Sequence, residues 1–514
     1  MAAANASSSA RVCLLDISDW PGGQLTASAV PAVDFGAIGN TTNARRENIV
    51  AAFAAYLWGP TMPGDVNLGN CWVSRKCFTP AAAVRDLVEP LLARLPNLVV
   101  SLSTAVLSVD VDAASGRATG LRAVRRTPAG GRGAWDANTS AVLADWYTPA
   151  DSAFFTKEVL DFAVAPGGVL IEATEFGDVL AASGLGFAQG IESPLEDSDA
   201  YIGFCGQGTT IPFFLSWHDA PVPTPDPWPP GSLAGGPPFA QQGLSWERDW
   251  TYRRVDAPRG SDPNAGACGE TSVINVGGCN DYSSGYLFLA AGSPELQAQL
   301  APGAWRGGVN LTAYALAEQR AFGCYHFLRA NASAAAAPFL ALNASLAGTA
   351  TGLAKMPYLR DTRRARAGLG GFRLYERNLT AAGGEGGLAF RWPDTVAIGV
   401  YFYADIHKME AAVCPYPSYI AAGSPVAPYY IPFRALTVEG APNLLVAGKT
   451  MAQTFFANAA TRLHPEEWAS GAAAGVAAAL MVDKGWASTQ AALDNIAIVQ
   501  AALAASGAPL EWTR

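Results

Sequence analysis

Histidine is scarce in this chain, with four in 514 residues. No two stand at the HxxxH spacing that places two imidazoles on one helix face, so a helical metal site of that kind is excluded. The eight cysteines (13, 71, 77, 205, 268, 279, 324, 414) include no CxxC pair. That argues against a zinc ribbon or a thioredoxin-like redox site, and eight cysteines are too sparse for a disulfide scaffold. No apolar run reaches the length of a membrane span. The longest, GAAAGVAAALMV at 471–482, is short and rich in Ala and Gly. No block of like charge marks a solvating tail, and a formal net charge of −9 argues against a nucleic-acid surface. The opening MAAANASSSA has neither the basic nor the apolar region of a signal peptide. No GxGxxG occurs anywhere in the sequence.

What is present is the composition of a folded protein. Half the residues are hydrophobic and 15% are charged, and 514 residues suffice for two or three domains with a large core. Asn-x-Ser/Thr sequons are over-represented. Seven occur, at Asn5, Asn40, Asn138, Asn310, Asn331, Asn343 and Asn378. Chance at ordinary Ser/Thr frequencies gives roughly two or three. Either the sequence is biased towards Ala, Ser and Thr after Asn, or the protein is secreted and glycosylated; the compartment stays open between cytoplasm and secretion.

The order of elements points to an α/β chain. RVCLLD, 11–16, reads as a buried strand ending on an acid, followed by the glycine turn WPGGQ. Thr79-Pro80 predicts a helix start, with Val84, Leu87, Val88, Leu91, Leu92 and Leu95 at helical spacing. Residues 97–126 read as strands joined by a turn at 114–116. GGVLIEATEFGDVLAASG, 167–184, reads as a strand entering a short helix. Residues 205–270, rich in Pro, Gly and Trp, read as long ordered loops. NLLVAG, 443–448, predicts a buried strand, and 464–481 a helix with Pro465 in its first turn. Residues 488–507 predict an amphipathic helix capped by Ser488 and stopped near Gly507. Alternation at both ends around a mixed middle suggests a nucleotide-binding domain of discontinuous segments with a second domain inserted. The expected limits are 1–190 and 431–484 for the nucleotide-binding segments, 191–430 for the inserted α+β domain and 485–514 for a terminal helix.

Three features can carry chemistry. Asp16 ends a strand, where an acid can accept both hydroxyls of a ribose, and Gly22 and Gly23 let backbone approach a ligand. Each feature has a plain structural reading too: a strand ending at a turn. Thr174 and Gly177 lie at the carboxyl end of the next strand. The helix from Pro465 offers unpaired N–H groups and a partial positive charge, with Gly448 before it and Gly471 and Gly475 along one face; a tightly packed core helix reads the same way.

Taken in order, these segments resemble FAD-dependent oxidoreductases of the two-dinucleotide-binding-domain type. LLDISDWPGGQLTASAVPAVD is similar to the family's strand-two acid and glycine loop. NCWVSRKCFTP resembles its WVSR…F-P segment, and LIEATEFGDVLAASGLGFAQGIES its IDATxxGDLLAxAG…GxES stretch. NVGGCNDY and MPYLRDTRRARAGLGGFRL resemble its central NDY and arginine-rich segments. PYYIPFRALTVEGAPNLLVAGKTMAQTFFANAATRLHPEEWASGAAAGVAAAL resembles its C-terminal flavin motif. The resemblance covers nearly the whole chain.

What the resemblance implies is bound FAD and hydride or electron transfer from a small organic substrate. Asp16 would hold the ribose. Gly22, Gly23 and Gln24 would line the pyrophosphate and flavin side, and Ala105 and Val106 would flank the adenine. Thr174 and Asp178 would sit near the nucleotide. Gly448 would approach the pyrophosphate, and Arg462, Leu463 and the following helix with Gly471 would face the flavin, where the helix dipole favours negative charge. The departure is the absent GxGxxG. MAAANASSSA matches only the end of the family's first helix, so about 20–25 residues of strand, loop and helix are expected upstream, from the ~30-residue βαβ unit. A false initiator is the favoured explanation, and a real loss the other; a real loss would make this a non-catalytic relic or binding module. His407, in YADIHKME beside Asp405, matches a family DxH position and suits proton transfer, or else is a hydrogen-bonded structural histidine. Arg360, Arg363, Arg364, Arg366 and Arg373 form the densest basic stretch. Arg360 and Arg364 suit a carboxylate or phosphate substrate, or the stretch is an ion-paired surface helix. By resemblance, Asn280, Asp281 and Tyr282 shape the pocket.

Overall fold

The computed structural model describes residues 1–33, 49–58, 69, 71, 73–74, 76–192, 201–223, 246–258, 262, 266–333, 335–401, 403–416 and 424–512. Asn40, Asn70, Trp72, Arg75 and much of the Pro- and Trp-rich stretch, 224–245, lie outside the described residues.

The chain opens with α1 (Ala2–Ala6) and β1 (Val12–Leu15). β1 pairs in parallel with β2 (Leu98–Ser101), from Val12 opposite Leu98 to Leu15 opposite Ser101. A parallel pair needs a crossover. Here it includes a helix starting at Pro80, capped as the sequence predicts by Thr79 Oγ1, which accepts from Ala82 N–H at 3.3 Å. β3 (Thr104–Val111), β4 (Ala118–Pro128) and β5 (Phe155–Ala163) form an antiparallel meander. Its first turn closes where Gly116 N–H donates to Asp112 O at 2.8 Å. β6 (Leu170–Glu172) then enters α2 (Asp178–Ala182), as expected for IEATEFGD.

The middle is a mixed region. β7 (Thr209–Thr210) and β8 (Phe213–Trp217) lead to β9 (Arg254–Asp256) and β10 (Thr271–Ile274). β8 lies between β10 and β12 (Leu340–Leu342) in one antiparallel sheet, while β11 (Asp281–Tyr282) pairs with β7. α3 (Leu311–Asn331) spans 21 residues and is capped by Asn310 Oδ1, 3.1 Å from Ala313 N. β13 (Thr395–Gly399) pairs with β14 (Tyr429–Pro432).

The C-terminal part returns to the start. β15 (Thr437–Val438) runs antiparallel to β16 (Ala441–Val446), and β16 pairs in parallel with β6, more than 270 residues earlier, Leu444 opposite Leu170. Leu444, Leu445 and Val446 are fully buried, each such side chain stabilising by about 1.5–3 kcal/mol. After α4 (Phe455–Thr461) comes α5 (His464–Lys484), rich in Ala and Gly. α1 lies directly on it: a Cβ at Gly475 would meet Ala2 Cβ and Ala3 N at 2.7 Å. Only glycine permits that approach.

Two expectations are corrected, and the cysteines add a finding. The single terminal helix is two, α6 (Thr489–Asp494) and α7 (Ile496–Ala505). They break at Asn495, whose Nδ2 donates back to Ala491 O at 2.9 Å and competes with the ladder. The arginine stretch is not a surface helix; Arg360, Arg363 and Arg364 are buried in irregular chain. And six of the eight cysteines pair, as Cys71–Cys77, Cys205–Cys414 and Cys279–Cys324. They are not a dense scaffold but single links between segments, two of them far apart in sequence, which spacing cannot reveal. Among the described residues no helix is long and apolar enough to cross a membrane.

Candidate functional site

The turn after β1 meets the amino end of α5. Asp16 closes β1, and its Oδ1 accepts from Ser18 N–H and Ser18 Oγ, both at 2.8 Å. Its Oδ2 carries no hydrogen bond among the described residues. Burial, with Glu175 nearby, pushes the carboxyl up to about 6 against the bonds from Ser18. Gly22 and Gly23 turn the chain with φ of 127° and 58°, a conformation that side chains resist. Gln24 Nε2 then donates to Arg462 O at 3.0 Å, and His464 Nε2 lies 2.8 Å from Val30 O. Facing a carbonyl, Nε2 must carry the proton, which makes Nδ1 an acceptor. Burial drives His464 down to about 3, so the ring is neutral.

Three buried polar atoms on these two tied segments have no partner among the described residues: Ser28 Oγ, Arg462 Nε and His464 Nδ1. They supply a hydroxyl, a donor and an acceptor at the start of the 21-residue α5. Leu463, at its N-cap position, is buried and accepts from Glu467 N–H at 2.9 Å. Further along the helix, nothing lies within 4 Å of where a Cβ on Gly471 would stand.

The carboxyl ends of β6 and β16 meet beside α5. Gly448 N–H donates to Ser470 Oγ at 3.0 Å. Lys449 Nζ bridges Glu175 at 3.1 Å and Glu467 at 2.8 Å. Burial opposes its charge, yet the two carboxylates hold it above the usual lysine range. Thr174 Oγ1 accepts from Asp178 N–H at 2.9 Å. The Asp178 carboxylate is fully engaged elsewhere, with Tyr147 Oη at 2.8 Å and Trp305 Nε1 at 3.2 Å. Ala105 and Val106 are buried in β3 and pair with Val124 and Ala123.

Arg462 also reaches into the second cluster. Its Nη2 donates to Asp405 Oδ2 at 2.8 Å and its Nη1 to Tyr358 Oη at 2.5 Å. Asp405 Oδ2 lies 3.2 Å from His407 Nε2, and Asp281 Oδ2 lies 2.6 Å from His407 Nδ1. Asp281 Oδ1 accepts from Arg360 Nη2 at 3.2 Å and from the Thr210 hydroxyl. An unbroken chain of polar contacts thus runs Arg360–Asp281–His407–Asp405–Arg462, with an arginine–carboxylate ion pair at each end. Burial works to raise Asp281, but Arg360 and His407 outweigh it and hold the carboxyl far below the usual range. Asp405 is lowered for the same kind of reason: burial is overcome by His407 and Arg462. The His407 side chain keeps 29% exposure, the most of these five, so it can meet a ligand while its neighbours fix its ring.

Other sequence candidates have structural partners. Arg364 is buried against Glu192, Nη2 to Oε1 at 3.1 Å, and donates to Gly190 O and Gln453 O. Arg363 donates to the Phe176, Gly307 and Gly308 carbonyls. Asn280 accepts from Val276 N–H and donates to Ile211 O and Ile274 O, so its amide shapes the turn into β11. Tyr282 is buried on β11. Reading the sequence missed Ser28, Lys449 and Tyr358, and missed that Asp281 is the partner of His407. No local signal links those two residues, which lie 126 positions apart.

Two of the three comparisons found nothing. No curated protein and no solved structure matches the chain. The family model described as FAD dependent oxidoreductase matches residues 152–503.

Proposed function

This chain belongs to the FAD dependent oxidoreductase family, with FAD as its cofactor, and from that premise we propose how it binds and works. The dinucleotide-binding unit is assembled from discontinuous pieces: β1 with the turn to Gln24, β6 with the loop to α2, and β16 with α5. Residues 191–430 form the inserted α+β part, which brings Asp281 and His407 to it. The donor set supports this reading. Asp16 keeps Oδ2 for ribose hydroxyls. Gly22, Gly23 and Gly448 present bare backbone for the pyrophosphate. Ala105, Val106 and Thr174 border the nucleotide through main chain and hydroxyl. Gln24, Leu463 and Gly471 line the flavin side. The unpartnered Arg462 Nε, His464 Nδ1 and Ser28 Oγ match a ring edge that alternates donors and acceptors. Asp178 and Asn280, whose polar atoms are taken, and Arg364, ion-paired with Glu192, support the fold instead.

Bound FAD supplies two-electron redox chemistry. The chain's own contribution is proton handling at His407. Asp281 fixes Nδ1, which leaves Nε2 to exchange the Asp405 contact for a hydroxyl or amine of a small-molecule substrate. Arg360 and Arg462 keep both carboxylates ionised and aimed at the ring. The single observation that carries this reading is the His407–Asp281 pair joined through Arg462 to the Gln24 turn. The test is to purify the full chain and release flavin by heating, then repeat with His407→Gln. The expected result is equal FAD content and dye-linked turnover lowered by about 100- to 10,000-fold. A colourless folded protein favours the non-catalytic reading, and unchanged turnover removes His407 from the chemistry.

Covalent chemistry also bears on the compartment. Disulfides persist where folding is oxidising, and Asn5 and Asn331 are exposed within their sequons. Both support a secreted, glycosylated protein.

A further inference from the structure

The groups that position His407 stand on weak backbone. Asp281 lies on β11, two residues long, which among the described residues pairs with the two residues of β7, themselves bridged to the chain at Tyr358. A ladder so short does not hold itself in water. His407 lies in irregular chain docked on residues 206–208. His407 N–H donates to Gln207 Oε1 at 3.1 Å, and Gly208 N–H donates to His407 O at 2.8 Å. Gly206 N–H reaches Met409 Sδ at 3.4 Å, and the Tyr416 hydroxyl donates to Gly206 O.

A covalent link closes each of these two pieces. Cys205 immediately precedes residues 206–208, and Cys414 ends the His407 segment; they are joined across 209 residues. Cys279 lies two residues before Asp281 and is joined to Cys324 on α3. One turn earlier on α3, Arg320 Nη2 donates to Gly278 O at 2.9 Å, so helix and turn meet twice. All four cysteines are fully buried. The third link, Cys71–Cys77, closes six residues and packs in a different core cluster with Phe214, Val255 and Val273.

We propose that Cys205–Cys414 and Cys279–Cys324 are positioning disulfides: one fixes the segment bearing His407 and the other the turn bearing Asp281, so that Nδ1 and Oδ2 stay in register. Their catalytic meaning rests on the reading of His407 given above; the geometric claim does not. Without either link, the affected segment opens locally while the core of α5 and β16 stays closed.

The four histidines make this measurable, because ring-labelled histidine gives four resolvable signals in the full-length protein. His407→Gln identifies the relevant one. Alkylation of the unreduced chain followed by mass spectrometry is expected to block Cys13 and Cys268 alone; modification of all eight cysteines overturns the proposal. Cys205→Ala/Cys414→Ala and Cys279→Ala/Cys324→Ala are each expected to move the His407 signal and to speed amide exchange over 405–409 or 279–282, respectively, about tenfold. Cys71→Ala/Cys77→Ala is expected to change neither. A His407 signal unmoved in both folded site variants overturns the proposal. Where a pair does not fold, Gln207→Ala keeps every disulfide and cuts the tether between Cys205 and His407, and an unmoved signal there overturns it equally. Full turnover in His407→Gln would refute the catalytic reading while leaving these readouts intact.

Discussion

Replacing Asp281 by Asn tests the centre of the site with the smallest change of shape. The carboxylate accepts three bonds, from the Thr210 hydroxyl, Arg360 and His407. An amide keeps one acceptor oxygen and sets an NH2 donor against either Arg360 or His407. It also removes the charge that balances a buried guanidinium. Breaking a buried, hydrogen-bonded ion pair in this way costs about 3–5 kcal/mol at pH 7. The cost has a pH signature. The folded carboxyl lies far below its unfolded value of 3.8, so its contribution is complete above that value and declines as pH falls below it. At pH 3 the wild type has lost about 1 kcal/mol of that contribution, from 0.8 of a pH step at ~1.4 kcal/mol each. The variant has none to lose, so the gap narrows by that amount. Urea unfolding followed by circular dichroism at pH 7 and pH 3 measures both gaps. Dye-linked turnover is expected to fall about 100- to 10,000-fold, because the His407 ring loses its partner. Equal stability at pH 7, or a gap identical at both pH values, refutes the assigned ion pair.

Asp16→Ala is expected to weaken FAD binding about 10- to 100-fold at pH 7.5, the loss of charge-assisted hydrogen bonds, as read by flavin fluorescence. In the wild type, affinity loosens as pH falls through about 6, where the buried carboxyl takes up a proton; the variant lacks that step, and a shared pH profile removes Asp16 from the site. Glu172, Asp178 and Glu318 are pushed up by burial to about 7, 6 and 7. Each raised acid stabilises the fold fully below the ordinary carboxylate range and loses that contribution as pH rises through 6–7. Asp281 and Asp405 act in the opposite direction at low pH, so thermal stability is expected to peak near pH ~5; a melting temperature rising steadily from pH 5 to 8 contradicts this. Enzymatic removal of N-glycans from protein secreted by a eukaryotic host is expected to raise its electrophoretic mobility, and Asn331→Gln to remove part of that shift.

The sequence by itself determined the local elements and the family resemblance. The VCLL strand, the Thr79-Pro80 cap, the turn at 114–116, the β6–α2 unit and the long Ala-rich helix all follow from patterns shorter than about one helix or hairpin, where side-chain periodicity and capping act between near neighbours. The glycine pair at 22–23 and Asp16 were legible for the same reason. Only the tertiary structure decided what each polar group does. Arg360 and Arg364 look alike in sequence, yet one holds Asp281 and the other is sealed against Glu192. Asp281 and His407 meet across 126 residues, and Cys205 and Cys414 across 209. No local pattern encodes such pairings. Burial and the ion pairs it enforces arise only when distant segments pack, and they decide which atoms remain free for a ligand and which are spent on the fold.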